Sequence, residues 1–534
     1  MSKSPVQPQS NPEVAAPQRC NLLHALSAVS GMTMLSRVSG LARDIVIAVT
    51  FGADAKTDAF FVAFKIPNFF RRLFAEGSFS QAFVPVFTEY KEQRGLNAVR
   101  DLASHVAGAL GLCLLLLTSF MAMAAPLVIL LFGPGFEPER HELAAQMLRY
   151  TAFYLLFISL VALSAGIQNS YQRFKAAAFT PVLLNLCLIV AALWLPAYLD
   201  TPIMALAIGV FIAGLVQFLF QIPFLRRLNM LPLPRFNWRH SGMCKVLKLM
   251  LPAMLSSSVV QISLVLDTII ASFLVAGSVT WLYYSDRMVE LPLGVFSIAI
   301  ATVLLPSLSK RFTQQDNAGF SRNLDWGMRL STIITVPAAI GLVLLAKPIL
   351  ITLVQYGRFD TYAATMAGYS LIAYAIGLPA FGYVKILSPG FFARQDTRTP
   401  LRITIYAIFI KLALTLLFVL PLYLQDIAWA HVGLALATSL TAWVQTVLLY
   451  YYLRRRQAYS VGHGWWSLLL QIGLAALVMT MGLIYFTPGF EAWVSYTMWR
   501  RLAVLSALIV PAVMVFFALL RLTGVRWQDY RAVH

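Results

Sequence analysis

Apolar runs of about 20 to 30 residues, each closed by Gly, Pro or a basic cluster, recur along the whole chain, and a bilayer-crossing helix needs about 20 such residues. They lie near 21–50, 56–92, 102–132, 143–168, 175–196, 203–225, 244–273, 278–312, 322–350, 363–392, 400–420, 431–453, 465–487 and 498–522. The pattern predicts an all-α integral membrane protein with fourteen transmembrane helices. Residues 1–20, rich in Pro, Ser and Gln, contain no apolar run and read as a disordered cytoplasmic tail. Arg37, Arg43 and Asp44 make the first run unlike the charge-free core of a secretion signal.

Composition supports the spans. Of 534 residues, 59% are hydrophobic and 12% charged, against about 25% charged in a typical soluble domain. A soluble enzyme is excluded, and no large soluble domain fits between the runs. The net charge of +19 suits cytoplasmic loops held against anionic membrane lipid better than nucleic acid. With the N-terminus inside, the cytoplasmic loops carry roughly twenty Lys and Arg and the outer loops, including Arg140, Arg500 and Arg501, roughly five. Both termini are expected in the cytoplasm. Cys20, Cys113, Cys187 and Cys244 lie far apart with no metal-ligand spacing, so they are expected to be buried fillers and no metal is implied.

The chain also repeats. SQAFVPVFTEYKEQ (80–93) aligns with IATVLLPSLSKRFT (300–313), placing Pro85 on Pro306, and LSAG (163–166) aligns with LSPG (387–390). A polar loop follows each of the latter and ends in Thr180-Pro181 or Thr399-Pro400, so the offset stays near 220 residues. An even number of spans per copy gives two parallel six-helix repeats, the plan of a transporter with two lobes. The expected organisation is an N-lobe at 21–229, a C-lobe at 241–456, an added helix pair at 464–522 and a cytoplasmic tail at 523–534.

Charges inside the second run need an explanation, because an ionised group at the bilayer centre costs at least about 2.5–3.5 kcal/mol and normally faces a cavity or a partner. Asp58, Lys65 and Arg72 are spaced by sevens, with Asn68 and Glu76 four residues either side of Arg72, and so share one helix stripe. Span 8 adds Asp286, Arg287 and Glu290, and span 10 adds Lys385. Convergence of Arg37, Arg43, Lys65, Asn68, Arg72, Arg287 and Lys385 between the lobes would bind an anion, and the preponderance of arginine points to phosphate or pyrophosphate. The plainer reading is that Asp44, Asp58, Asp286 and Glu290 merely neutralise the arginines. Asp267 is a lone carboxylate in span 7 and a candidate ion site. His105 and His431 have no evident acidic neighbour and read as satisfied or interfacial residues. Phosphate-loop, HExxH and GxSxG motifs are missing, so the chain is not expected to be an enzyme or to hold a cofactor.

These residues closely resemble one family, the peptidoglycan lipid II flippases called MurJ or MviN, within the multidrug, oligosaccharidyl-lipid and polysaccharide exporter superfamily. The strings that carry the resemblance are MTMLSRVSGLARD (32–44), TDAFFVAFKIPNFFRRLFAEGSFSQAFVPVF (57–87), YYSDRMVELP (283–292), LLPSLSK (304–310) and LSPGFFARQDTRTP (387–400). The resemblance implies two six-helix lobes in an inverted V in the bacterial inner membrane. It also implies movement of lipid II, an undecaprenyl-pyrophosphate disaccharide-pentapeptide, to the outer leaflet for cell-wall synthesis. Arg37, Arg43, Arg72 and Arg287 would line a cationic cavity; Ser36, Asp58, Lys65, Asn68, Glu290 and Lys385 also fall on motif positions of functional importance. The last two helices would form a groove for the lipid tail, and cell-wall synthesis proteins are expected partners. Where some members pair a span 7 carboxylate with polar groups on span 11 as a sodium site, this chain has Asp267 and Lys411, and a fixed cation opposes Na⁺. Membrane potential or proton coupling is the expectation. The rival expectations are an exporter of another polyprenyl-linked glycan or of a drug, and a non-transporting cell-wall scaffold.

Overall fold

The computed structural model describes residues 17–74, 78–237 and 240–525. Among these the chain is helical throughout, in the order α1 (Pro17–Phe51), α2 (Ala55–Phe74), α3 (Ser78–Gln93), α4 (Gly95–Met123), α5 (Ala125–Phe132), α6 (Pro138–Ser170), α7 (Lys175–Trp194) and α8 (Met204–Arg227). There follow α9 (Ser241–Ser272), α10 (Ser278–Pro292), α11 (Ile298–Thr313), α12 (Asn317–Leu344), α13 (Ala346–Val354), α14 (Thr361–Phe392), α15 (Arg398–Leu424) and α16 (His431–Arg455). The chain closes with α17 (Trp465–Phe486), α18 (Phe490–Ser495) and α19 (Met498–Leu522). Eleven helical stretches among the described residues are long and apolar enough to cross a membrane. The helix α2 is not one of them, because Lys56, Asp58, Lys65, Arg71 and Arg72 crowd its 20 residues.

Helix α1 starts at Pro17, inside the stretch expected as tail; residues 1–16 and Glu76 lie outside those described. The expected second span comprises α2 and α3, and the eighth comprises α10 and α11 joined by a π-helical turn over Leu293–Ser297, just after Pro292. Proline removes a backbone donor and crowds the preceding turn, which accounts for the irregularity. The cysteines depart from expectation: Cys113 is exposed on α4, and Cys187 and Cys244 are half-buried.

Packing recurs along the chain. In the first half α1 packs on α7, α2 and α4 on α6, and α8 on α6 and α7. In the second half α9 packs on α15, α10 and α12 on α14, and α16 on α14 and α15. Helices α17 and α19 pack on each other and attach through α12 and α13. At the end where α1 stops and α2 and α10 begin, one apolar core joins both halves, with Phe51, Phe60 and Phe61 in the same cluster as Trp281, Tyr284 and Phe359. At the opposite end the core divides. Phe79, Phe83, Phe87, Leu102, Leu163 and Leu225 form one cluster, and Leu304, Leu308, Leu324, Ile386, Leu449 and Leu453 form another. The first turns of α9 side with the former, through Val246. At this end, among the described residues, the halves meet through α9 alone, which packs on α3 and α4 of the first half, while the rest of the apolar core stays divided.

Arg501, expected in an outer loop, is instead 5% exposed within α19. Its guanidinium donates to the main-chain oxygens of Trp493 (3.0 Å), Val494 (2.8 Å), Ile351 (3.2 Å) and Gln355 (3.2 Å) and lies over the Tyr356 ring. The carbonyls at the ends of α13 and α18 carry partial negative charge that suits this cation. Replacing Arg501 with Leu removes those donors and is expected to cost about 3 kcal/mol of stability, read as a fall in the thermal midpoint of the purified protein.

Candidate anion site between the halves

Two carboxylates join the halves, one at each level of the closed end. Asp58, in the first turn of α2 and 1% exposed, accepts from Gly277 N (2.8 Å), Thr280 N (2.8 Å) and Thr280 Oγ1 (2.6 Å). It therefore caps the N-terminus of α10, where free N–H groups and the helix dipole favour an anion. Gly277 adopts φ +97°, a left-handed conformation that suits glycine and turns its N–H towards Asp58. Arg140, lying over Phe136, is the nearest cation to Asp58, at 3.7 Å. Asp58 is thus a bolt between α2 and α10, and Lys65, two turns on, reaches Thr268 in the same half as α10.

Asp44, 4% exposed on α1, is the second junction. Its Oδ1 accepts from Arg43 Nε (3.0 Å), Arg43 Nη2 (2.6 Å) and the Tyr283 hydroxyl (3.0 Å), and its Oδ2 accepts from Arg287 Nε (3.1 Å). Arg287 reaches on to Glu290 at 2.9 Å, and Arg43 Nη1 donates to Asn185 Oδ1 of α7 at 3.1 Å. Two guanidinium groups therefore face two carboxylates. Arg43, Asp44, Arg287 and Glu290 thus pair with one another. Arg43 is 5% exposed and committed, whereas the Arg287 side chain is 38% exposed and open on one side.

Other cations are less well matched. Arg37 Nη2 donates to the main-chain oxygen of Gly294 at 3.1 Å, and no carboxylate pairs with it among the described residues. Lys65 Nζ donates to Thr268 Oγ1 (3.0 Å) and lies within electrostatic reach of Asp267, Asp286, Lys411 and Arg72. Asn68 accepts from Arg71 Nε at 3.1 Å, while Arg72 is exposed. Asp286 is exposed despite its mid-helix position, so it borders open space. Asp267 is held by Lys411 at 2.5 Å, and Lys411 also donates to Ser263. Ser36 contributes its main-chain oxygen, which accepts from Asn185 Nδ2 at 3.1 Å. Lys385 is exposed and makes no ion pair with the others among the described residues.

Sequence reasoning missed Tyr283, Asn185, Thr280 and Arg140. Tyr283 stands four residues before Arg287, on the same helix face, and stacks on Phe61 at 4.1 Å. Asn185 is the sole amide in an otherwise apolar α7, a signal that could have marked it.

Asp101, His105 and His240 form a cluster of metal-ligand types, and Asp101 corrects the reading that His105 lacks an acidic neighbour. His105 Nδ1 lies 2.8 Å from the Asp101 carbonyl oxygen and 3.4 Å from its carboxylate, and His240 Nε2 lies 3.3 Å from the carboxylate. Both ring nitrogens are placed as N–H donors, while His240 Nδ1 accepts from Met243 N and caps α9. Hydrogen bonds fill the set, and a metal would require both tautomers reversed. In the loop between α8 and α9, His240 is pushed below its ordinary value of 6.5 by burial and by His105 and Arg94, against the pull of Asp101. The fold thus favours neutral His240, and the stability this lends is present above about pH 6.5 and declines as pH falls towards the lower folded value. Amide exchange at Met243 and Cys244, corrected for its intrinsic pH dependence, is expected to rise between about pH 7.5 and about pH 5.5, and His240→Gln is expected to abolish that dependence.

The family description "Lipid II flippase MurJ" matches residues 47–504. The chain is 42% identical over 522 residues to a probable lipid II flippase MurJ of Vibrio cholerae, covering 96% of this chain and 98% of the relative. It is 39% identical to the lipid II flippase MurJ of Burkholderia cenocepacia, covering 96% and 99%. A solved structure of lipid II flippase MurJ in an inward closed conformation superposes with a TM-score of 0.77 at 27% identity, over 92% of this chain and 97% of that one. An inward-facing multidrug transporter of the MATE family shares the fold at a TM-score of 0.64 and 16% identity, over 81% and 98%.

Proposed function

This chain belongs to the MurJ family of lipid II flippases, and on that premise we propose that its two halves rock about the Asp58 and Asp44 junctions to carry lipid II from the cytoplasmic to the outer leaflet. It is a transporter and catalyses no chemical reaction. The observation that carries the mechanism is the divided core: one apolar cluster joins the halves at one end, and two clusters, bridged among the described residues only by the packing of α9 on α3 and α4, line the other. A two-sided hinge of this kind can open to one leaflet at a time.

The finer plan is fourteen spans, two parallel lobes of six, and both termini in the cytoplasm. Basic loops on one side and the repeated packing of α2 on α6 and α10 on α14 support it. The divided end then faces the cytoplasm. Arg37, Arg72 and Arg287 would meet the pyrophosphate, because each retains guanidinium surface not committed to a carboxylate, and Arg binds such oxygens in a bidentate way. Arg43 would hold Asp44 and Asn185 in register. Lys65, Asn68, Ser36 and Lys385 would border the headgroup path, and Asp286 and Glu290 would take back the cations once the cargo leaves. Asp267 is held by Lys411 in a position that would otherwise attract a cation, which favours a cycle independent of Na⁺. The undecaprenyl tail would lie along α17 and α19, where Leu470 of α17 is 73% exposed and Met514 of α19 59%.

Rapid inactivation in cells tests the function, read as access of lipid II to an externally added enzyme that cleaves its headgroup. Cleavage is expected to fall while lipid II accumulates; unchanged cleavage, with no second flippase present, contradicts the reading. Arg37→Ala and Arg287→Ala are expected to lower flipping by roughly a hundredfold with normal amounts of folded protein in the membrane.

A further inference from the structure

Arg37 is held in an unusual way. Arg43 and Arg287 each face a carboxylate, but the hydrogen bond that holds Arg37 is to the backbone of the opposite half, at Gly294 O. Gly294 lies in the π-helical turn Leu293–Ser297 between α10 and α11. A π-turn shifts the register of main-chain hydrogen bonds and recurs at functional positions within helices. The turn presents a neutral acceptor to a guanidinium that comes from α1.

The same residue makes room for that guanidinium. A Cβ on Gly294 would fall 2.6 Å from Arg37 Nη2 and 2.7 Å from Cζ, and closer still to Nη1. No real Cβ occupies such a place, so any side chain at 294 displaces Arg37. Helical glycines such as Gly209 and Gly377 also face close neighbours, whereas Gly341 in α12 has none within 4 Å and serves as a control.

The geometry points to Gly294 as a positioning residue for Arg37: its bare Cα and its carbonyl park the guanidinium between the halves on a neutral acceptor that a pyrophosphate displaces. The guanidinium carries its charge in both bonds, but a pyrophosphate adds the attraction of its own negative charge and can accept in a bidentate way, so an arriving anion takes the guanidinium from the carbonyl. An arginine already paired with a carboxylate, such as Arg287, exchanges one anion for another and gains less. Because Arg37 and Gly294 belong to opposite halves, the exchange also releases one contact across the cavity when the cargo binds. This rests on the flippase reading and assigns within it a residue that touches no substrate.

The test compares Gly294→Ala, Arg37→Ala, the double variant and Gly341→Ala, in purified protein for lipid II binding and in proteoliposomes for flipping. Helix propensity favours alanine at both glycines, so a purely structural role predicts unchanged or raised thermal stability and no loss of binding. Gly294→Ala is expected to weaken lipid II binding roughly tenfold without lowering the thermal midpoint, Gly341→Ala to match the parent, and the double variant to be no worse than Arg37→Ala alone. Parental binding by Gly294→Ala, or losses that multiply in the double variant, overturns the assignment. So does parental binding by Arg37→Ala, with flipping by the parent protein intact. Absence of flipping by the parent itself would instead overturn the flippase reading.

Discussion

An ionised side chain within a membrane must have a countercharge, a backbone partner or water, and Asp44 is where this chain meets that requirement across its two halves. One carboxylate on α1 receives Arg43 from its own helix and Arg287 from α10, with the Tyr283 hydroxyl completing the set. Removing one partner of a buried pair typically costs about 3–5 kcal/mol because the remaining charge is stranded. The halves therefore cannot separate at this level unless another anion takes over the arginines or water enters. That condition couples movement to cargo: a pyrophosphate is such an anion.

Asp58 acts differently at the closed end. It meets the N-terminus of α10 through backbone donors, and the bond is lost only if α10 moves away as a unit. One junction is thus sensitive to anions and the other to helix displacement. Together with the joined core at this end and the divided core at the other, they give the molecule a defined pivot. Arg501 fastens the last helix to the second half through carbonyls of α13 and α18, so α19 should follow that half when it moves.

Much of this was legible in the sequence. Periodic apolar runs gave the helices, and charges in spans 1, 2 and 8 marked the junction, since such residues are rare in lipid without a reason. What the sequence hid was pairing. Helix spacing placed Asp58 and Lys65 on one stripe, and both reach the second half, but their partners, the first turn of α10 and Thr268, depend on contacts between distant helices. Tyr283 and Asn185 were overlooked because neutral polar residues carry no charge signal. Arg501 looked like a loop residue, since burial against four carbonyls cannot be read from its neighbours in the chain. The π-turn at Leu293–Ser297 was foreshadowed only by Pro292 and Gly294.

Rocking of the halves requires that opening at one end accompany closure at the other. Spin labels at positions 172 and 395, in the loops after α6 and α14, report the divided end, and labels at 56 and 362 report the joined end. Pulsed dipolar distances in the same nanodisc preparation, with and without lipid II, test it most directly. The account predicts that populations with a shorter 172–395 distance have a longer 56–362 distance and that lipid II shifts their proportions. Distances that lengthen together, or that ignore lipid II, would contradict it.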